Sequence, residues 1–315
     1  MKIAILINLS ANHNKATVKW EKIKDKLYFL EKGNTIIRIP YRVPFDINDC
    51  VSKLYSNEGV TYFISAGGDG SIHYLINAIK NIGKNSKLEE FTIGGIGLGS
   101  SNDFLKPFDH MIAGVPVKID YAHSYMQDIG SVAYDTDTRG KQHKLFLINA
   151  SIGLLAKANH IFNKGDRFIN FFKRKKLEWA INYTAVKTLF TYTSSSVNII
   201  SPLEKKRVKL TSLSVLKNPN VSGSFRFNQN ITPNEGSFGV NYAYNQNFIS
   251  VIRTIVDLAN GCFISKKPKK GRASYKCNQL EVSSGSSLYL ETDGEVEIAR
   301  NVSFSIYPHT IRIMK

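Results

Sequence analysis

The sequence has little cysteine and no long apolar run, and both absences narrow what the chain can be. Cys50, Cys262 and Cys277 are its only cysteines, odd in number and without metal-ligand spacing. This pattern excludes a disulfide framework and suits a reducing cytoplasm. No stretch approaches the roughly 18 to 20 apolar residues of a membrane span. The opening MKIAILINLS resembles a signal peptide, but its apolar run breaks at Asn8 and no small-residue cleavage site follows, so it reads as a buried first strand. Internal repeats and low-complexity linkers are also absent. Acidic residues are scarce, 25 Asp and Glu against 42 Lys and Arg, a net charge of +17. That imbalance implies an anionic partner: nucleic acid, an acidic membrane surface or nucleotide phosphates. Paired Cys/His spacings and a basic helix with heptads are both missing, so nucleic acid is set aside. The abundance of Lys, Asn and Ile also fits a purely compositional origin of the charge.

What is present is an ordinary globular composition, 43% apolar and 21% charged over 315 residues, enough for one large domain or two. Residues 2–8, 35–39, 60–66 and 91–96 read as strands. Residues 18–31, 47–54 and 71–82 carry apolar residues at helical spacing. Strands alternating with helices mean a parallel sheet covered on both faces. Near Pro116 the texture changes to short alternating runs such as KLFLINASIG, VKLTSLSVL and SLYLETDG, interrupted by one amphipathic helix over 177–192. The predicted fold is an α/β N-terminal domain with a parallel sheet (1–116), followed by a C-terminal antiparallel β-sandwich (117–301). The final strand, 302–315, is expected to return to the first domain.

The segment TYFISAGGDGSIHYLINAI takes an apolar strand into glycines and straight into a helix. At the carboxyl end of a parallel strand that is where open α/β sheets bind ligands. Gly67, Gly68 and Gly70 allow positive φ and close backbone approach, and the N–H groups opening the helix suit phosphate. Asp69 fits a phosphate cradle if a Mg²⁺ lies between, or if it orients a reacting hydroxyl. Alone, the segment is equally a tight turn with Asp69 as helix cap. A second glycine loop, IGGIGLGSSNDF, again ends a strand and adds Ser100, Ser101, Asn102 and Asp103. Neither loop contains a Walker A motif or G-x-G-x-x-G, so the pair suggests a nucleotide triphosphate held by backbone without a P-loop lysine.

AGGDGS, then GLGSSNDF one helix and one strand later, with TDGE near the end, resembles the catalytic-domain superfamily of the diacylglycerol kinases, particularly soluble bacterial lipid kinases and sphingosine kinases. AILINLSAN stands where that family has an Asn-Pro-x-Ser-Gly loop, FLINASIG resembles its Phe-x-Asn-x-x-x-x-Gly strand, and TPNEGSFGV its Asp-Gly segment. The resemblance implies that the first domain binds ATP with Mg²⁺ and that the sandwich receives a lipid. The γ-phosphoryl group would pass to a hydroxyl of diacylglycerol or a related lipid. Gly67, Gly68, Asp69, Gly70 and Ser71 carry over as nucleotide contacts, joined by Asn8, Ser10, Gly99, Ser100 and Asn102. Asp293 and Glu295 correspond to the family's cleft carboxylates and, with Asp69, form the catalytic set. Asp293 is favoured as the base, since a hydroxyl nucleophile needs a proton acceptor within reach. Without the resemblance, TDGE reads as a plain hairpin turn. Glu235 stands where the family has a metal-linked Asp, which makes it the candidate ligand of a structural Mg²⁺.

Several positions depart from the pattern: Ser71 for Thr, Tyr74 for Glu, Leu9 for Pro, Ala11 for Gly, Gly97 for Pro, and Ser101 in the loop's later Gly/Ala position. Two other classes stay open. One is an NAD kinase, which shares a GGDG loop but has an Asn-x-Gly-x-x-Gly-Phe second motif not found here. The other is a non-enzymatic lipid-binding relative. RFINFFKRKKLEW, residues 167–179, mixes aromatics with Lys173, Arg174, Lys175 and Lys176. It is expected to dock a cytoplasmic enzyme peripherally on anionic lipid, with the basic 265–272 loop adding attraction. The bland alternative is a solvated helix start with its aromatics in the core. No nucleic-acid partner is expected, and the oligomeric state is open, a homodimer included.

Overall fold

The computed structural model describes residues 1–12, 15–82, 88–175, 177–265 and 269–315, without the side chains of 170, 173, 174, 177, 178 and 182. Its N-terminal half is β1 (Lys2–Asn8), α1 (Lys15–Ile23), β2 (Thr35–Tyr41), α2 (Ile47–Glu58), β3 (Tyr62–Gly67), α3 (Asp69–Asn81) and β4 (Thr92–Gly97). The four strands pair in parallel in the order β2-β1-β3-β4. Apolar side chains leave both faces of this sheet. Ala4, Leu6, Phe63 and Ile93 pack against α2 and α3, while Ile3, Ile5, Ile7 and Ile64 pack against α1. The expected helix over 18–31 is an α-helix only to Ile23 and continues as a 3₁₀ helix over Lys24–Glu31. Leu27 and Leu30, both buried, are three residues apart, and the three-residue turn stacks them on one side. Asp46 caps α2 by accepting the Asp49 N–H at 3.0 Å, and Gly59 ends it with φ 66°.

Two short strands, β5 (Met111–Ile112) and β6 (Val115–Lys118), lead into the antiparallel half, β6 pairing antiparallel with β4. There follow β7 (Tyr125–Thr136), β8 (Gly140–Phe146), β9 (Asn149–Gly153), β10 (Ser195–Ile200), β11 (Lys205–Leu216), the small pair β12 (Asn220–Val221) and β13 (Phe225–Arg226), β14 (Phe238–Tyr244), β15 (Arg272–Cys277), β16 (Gln279–Ser284), β17 (Leu288–Thr292), β18 (Glu295–Ala299) and β19 (Val302–Ile313). All pairings from β7 to β18 are antiparallel, and they enclose a core of Val132, Phe146, Ile152, Leu213, Phe238 and Phe304. The long strand β19 runs antiparallel to β7 and β16. Its last residues, Arg312 and Ile313, lie parallel beside Thr92 and Ile93 of β4, so the chain end joins the first sheet.

One helix was expected in this half; the described residues contain four. They are α4 (Leu154–Lys164), α5 (Arg167–Lys175), α6 (Leu177–Thr191) and α7 (Phe248–Ala259). In α7 Ser250, Arg253, Thr254 and Asp257 form a polar stripe at helical spacing; Val251, Ile255 and Leu258 face inward, and Phe248, Ile249, Ile252 and Val256 are exposed.

Candidate functional site

A cleft of about 750 Å³ opens between the two halves. One wall is the end of β3 and the start of α3. Gly68 is the N-cap of α3, and no side chain caps it, so the helix presents free N–H groups and a partial positive charge to the cleft. Asp69 is not the cap: its Oδ1 accepts the Phe104 N–H at 3.0 Å from the second loop. The glycines act differently from the expectation. None of Gly67, Gly68 and Gly70 takes a positive φ. Each meets protein where a side chain would begin. A Cβ at Gly67 would lie 2.3 Å from Ser71 Oγ, at Gly68 3.3 Å from Gly99 Cα, at Gly70 2.5 Å from Glu295 Oε1, and at Gly99 2.5 Å from Gly68 Cα. The missing bulk therefore lets the two loops and the TDGE turn close on one another. What they offer a ligand is backbone N–H groups, not the space of absent side chains.

Hydrogen bonds hold that arrangement. Leu98 and Gly99 N–H donate to Gly67 O at 2.9 and 3.0 Å, and Asn8 Nδ2 donates to Ser71 Oγ at 3.0 Å. Ser10 N–H donates to Asn8 Oδ1 at 3.0 Å, and its Oγ accepts Val43 N–H at 3.1 Å. Asn102, buried with φ 54°, donates to Gly99 O at 3.2 Å. Lys19 reaches the same carbonyl at 2.7 Å. Of the predicted nucleotide contacts, Asn8, Ser10, Gly68, Asp69, Gly70, Ser71, Gly99 and Ser100 line the cleft, whereas Gly67 and Asn102 stand behind it as braces.

The other wall belongs to the antiparallel half. The TDGE segment is a hairpin turn between β17 and β18, with Asp293 at φ 47° and Gly294 at φ 94°, and it also faces the cleft, so the turn and the site are one feature. Asp293 is 1% exposed, and its carboxylate accepts three backbone N–H groups: Leu147 at 3.0 Å, Ile148 at 2.9 Å and Asn149 at 3.1 Å. Glu295 is more open and accepts the Tyr74 hydroxyl at 2.9 Å. Tyr74, which stands where a glutamate was expected, thus supplies a donor to a carboxylate of the opposite wall. Burial first, then the Glu295 charge, pushes its phenol far above the ordinary value.

Five carboxylates line the cleft, Asp69, Asp103, Glu291, Asp293 and Glu295, and among the described residues no Lys, Arg or His does. Asp103 is offset by Lys106 at 2.7 Å. Burial, followed by the Asp103 charge, pushes the Asp69 carboxyl up to about 7. Burial pushes Glu291 up to about 8, although Ser151 Oγ at 2.7 Å and Gly294 N–H at 2.6 Å both donate to it. Sequence reasoning missed Glu291. In SLYLETDG it alternates like a solvent-facing strand residue, and only its distance of two residues from the turn hinted otherwise. Polyphosphate alone would be repelled by this lining, whereas polyphosphate with Mg²⁺ supplies the missing positive charge. The oxygen donors match that hard cation.

Glu235 lies outside the cleft. Its Oε2 is 2.7 Å from Lys276 Nζ, and nearby Lys217 sits 3.2 Å from Asp128, so ammonium groups supply the positive charge assigned to a metal. Among the described residues no group of three or more His, Cys, Asp or Glu could hold a metal by itself. In the basic-aromatic segment Phe168, Phe171 and Trp179 are exposed rather than in the core. Lys176 and residues 266–268 of the basic loop fall outside the described residues, as do the side chains of Lys173 and Arg174.

Residues 2–135 match the family model of the diacylglycerol kinase catalytic domain. Among solved structures, a Bacillus anthracis str. Sterne protein provisionally described as a diacylglycerol kinase aligns with a TM-score of 0.69 at 15% identity, covering 99% of this chain and 96% of its own. A diacylglycerol kinase from the same organism aligns with a TM-score of 0.66 at 13% identity over the same shares. No curated protein matches the sequence. At such identities the structural likeness is one of fold, and it extends over both halves. The family model matches the part of the chain that holds both glycine loops, and the resemblance drawn from them holds there. Among the described residues no helix is long and apolar enough to cross a membrane.

Proposed function

We propose that the chain transfers the γ-phosphoryl group of Mg·ATP to a lipid hydroxyl, that of diacylglycerol or a related lipid, at the surface of a membrane. The observation that carries this reading is the composition of the cleft: an uncapped helix N-terminus and two glycine loops on one wall, and a lining of five carboxylates with, among the described residues, no Lys, Arg or His. The α3 N–H groups and Ser71 would orient the phosphates. Bound Mg²⁺ would neutralise the phosphate oxygens, and Glu295, half-buried on the opposite wall, would hold it. Asp69 stands beside the phosphates at the start of α3. With its carboxyl near 7 it is matched to proton exchange at neutral pH, and we assign it to accept the hydroxyl proton as the O–P bond forms and the bond to the β–γ bridging oxygen breaks.

Asp293, favoured from sequence as the base, is 1% exposed and accepts three backbone N–H groups, and we assign it instead to fixing the 147–149 backbone against the cleft. Titration calorimetry tests the reading at its first step: ATP should bind with Mg²⁺ and bind far more weakly when EDTA removes it. Equal affinity with and without Mg²⁺ would overturn the reading of the carboxylates.

A further inference from the structure

The surface of α6 and α7 carries a stripe of exposed apolar side chains. On α6, Trp179, Val186 and Phe190 are exposed at spacings of seven and four residues, which places them along one face. Phe190 is 75% exposed, and its ring lies 5.7 Å from that of Phe248, the first residue of α7, itself 50% exposed. From Phe248 the stripe continues along α7 through Ile252 and Val256, with Ile249 beside it. The adjoining flank of α7, Val251, Ile255 and Leu258, is also apolar and lies against Leu154, Phe227 and Phe263 under the helix. An apolar arc of half the helix circumference, opposite the polar stripe Ser250, Arg253, Thr254 and Asp257, is ordinarily enclosed across its whole width.

The charge of the chain identifies what encloses it. Residues 154–275, which contain all four helices of this half, hold 20 Lys and Arg against 5 Asp and Glu, a net +15 of the chain's +17. Some of these cations border the stripe. Lys157 donates to the Thr191 carbonyl at the end of α6, and in the turn before α7 Asn245 accepts the Lys209 N–H on its Oδ1 and donates its own N–H to the Lys209 carbonyl. Arg253 lies in α7 between Ile252 and Thr254, exposed and without an ion pair among the described residues. An apolar strip within a cationic field is complementary to an anionic lipid bilayer, whose headgroups attract the cations while its acyl region takes the rings. A second copy of the chain would bring the same positive field against itself.

We infer that the continuous face formed by Trp179, Val186 and Phe190 of α6 with Phe248, Ile252 and Val256 of α7 is the surface by which the protein enters an anionic bilayer. The inference deepens the lipid-kinase reading and rests on it for the reason to visit a membrane. It differs from the expected docking segment, residues 167–179, by naming α7, which carries no basic-aromatic signature. The geometry also connects the surface to the cleft. Asn159, Phe162 and Asn163 of α4 line the cleft, while Lys157 on the same helix holds the end of α6.

The test is co-sedimentation of the full chain with vesicles of phosphatidylcholine containing phosphatidylglycerol, compared with pure phosphatidylcholine. Wild type should bind the anionic vesicles and release with added salt. The double variant Phe248→Ser/Ile252→Ser, altered only at exposed positions, should lose about tenfold or more in partitioning, as removing two inserted apolar side chains demands. It should keep wild-type Mg·ATP affinity by calorimetry, which shows that the fold is intact. Equal sedimentation of variant and wild type would overturn the inference. So would wild type that ignores anionic vesicles, or ultracentrifugation showing a dimer of wild type that the variant loses. Phosphoryl transfer is read separately with lipid dispersed in detergent, so failure of the kinase reading would appear as vesicle binding without turnover, a result that still supports this surface.

Discussion

Replacing Gly99 by alanine would place a methyl carbon 2.5 Å from the Cα of Gly68 and 2.8 Å from Asn102 Oδ1. Carbon atoms in ordinary contact lie about 3.5–4 Å apart, so the two glycine loops would have to separate by about 1 Å. Neither obstacle can turn aside: one is backbone, and the other belongs to a buried amide bonded to the Gly97 and Gly99 carbonyls. Overpacking of this kind costs about 1–3 kcal/mol, which in a large domain lowers the melting temperature by about 2–4 °C per kcal/mol. The displaced segment carries the N-terminus of α3, so if the same energy appears in binding, affinity for Mg·ATP falls about 5- to 150-fold. Gly70→Ala is the contrasting case. Its methyl would meet Glu295 Oε1, the tip of a side chain that can swing away, so melting should change little while Glu295 leaves Tyr74. Scanning calorimetry and titration with Mg·ATP read both variants. A Gly99→Ala protein with wild-type melting temperature and affinity would refute the view that loop-to-loop contact is what these glycines are for.

Further outcomes follow from the carboxylates and the buried ion pair. Asp69→Asn should lower kcat about 10²–10⁴-fold with the fold intact, and wild-type kcat/KM should rise with pH through about 7 as the free-enzyme base loses its proton; a flat profile would remove Asp69 from the role. Asp293→Asn should act on stability, costing about 1–3 kcal/mol because an amide cannot accept all three N–H groups; a fully stable variant devoid of transfer would restore Asp293 as the base. Glu291 holds its proton in the folded state up to about 8, whereas the unfolded chain releases it near the ordinary 4.5, so its contribution to stability falls as pH rises between those values. Glu291→Gln should therefore stabilise by about 3 kcal/mol at pH 7 and by little at pH 4.5 in urea titrations. Lys217→Met should cost about 3–5 kcal/mol by the same method, since it leaves the carboxylate of Asp128 buried without its partner.

The parallel half of the fold is legible because its signals are local: apolar runs for β1, β3 and β4, helical spacing for α2 and α3, and glycines where strand meets helix. The antiparallel half is legible only as a texture. Its helix α4 follows directly on the strand-like run of β9, and the polar stripe of α7, Ser250, Arg253, Thr254 and Asp257, is only four residues long amid a wide apolar arc. At the site, sequence placed Asp69, Asp293 and Glu295 around one cleft but could not rank them. Their chemistry depends on what burial and the backbone do to each: Phe104 N–H on Asp69, three N–H groups on Asp293, a tyrosine on Glu295. Tyr74 was an unexplained departure until its partner 221 residues away came into contact with it. Glu235 shows the reverse case, a motif position whose local neighbour, a lysine, is invisible to spacing.

The most direct measurement of the central claim is incubation of the wild-type chain with γ-labelled Mg·ATP and a mixed lipid extract, followed by mass identification of whatever carries the label. The account predicts a lipid phosphomonoester formed on a free hydroxyl, absent when Asp69→Asn replaces the wild type. Label found in no lipid, or appearing instead on NAD when that acceptor is supplied, would contradict it.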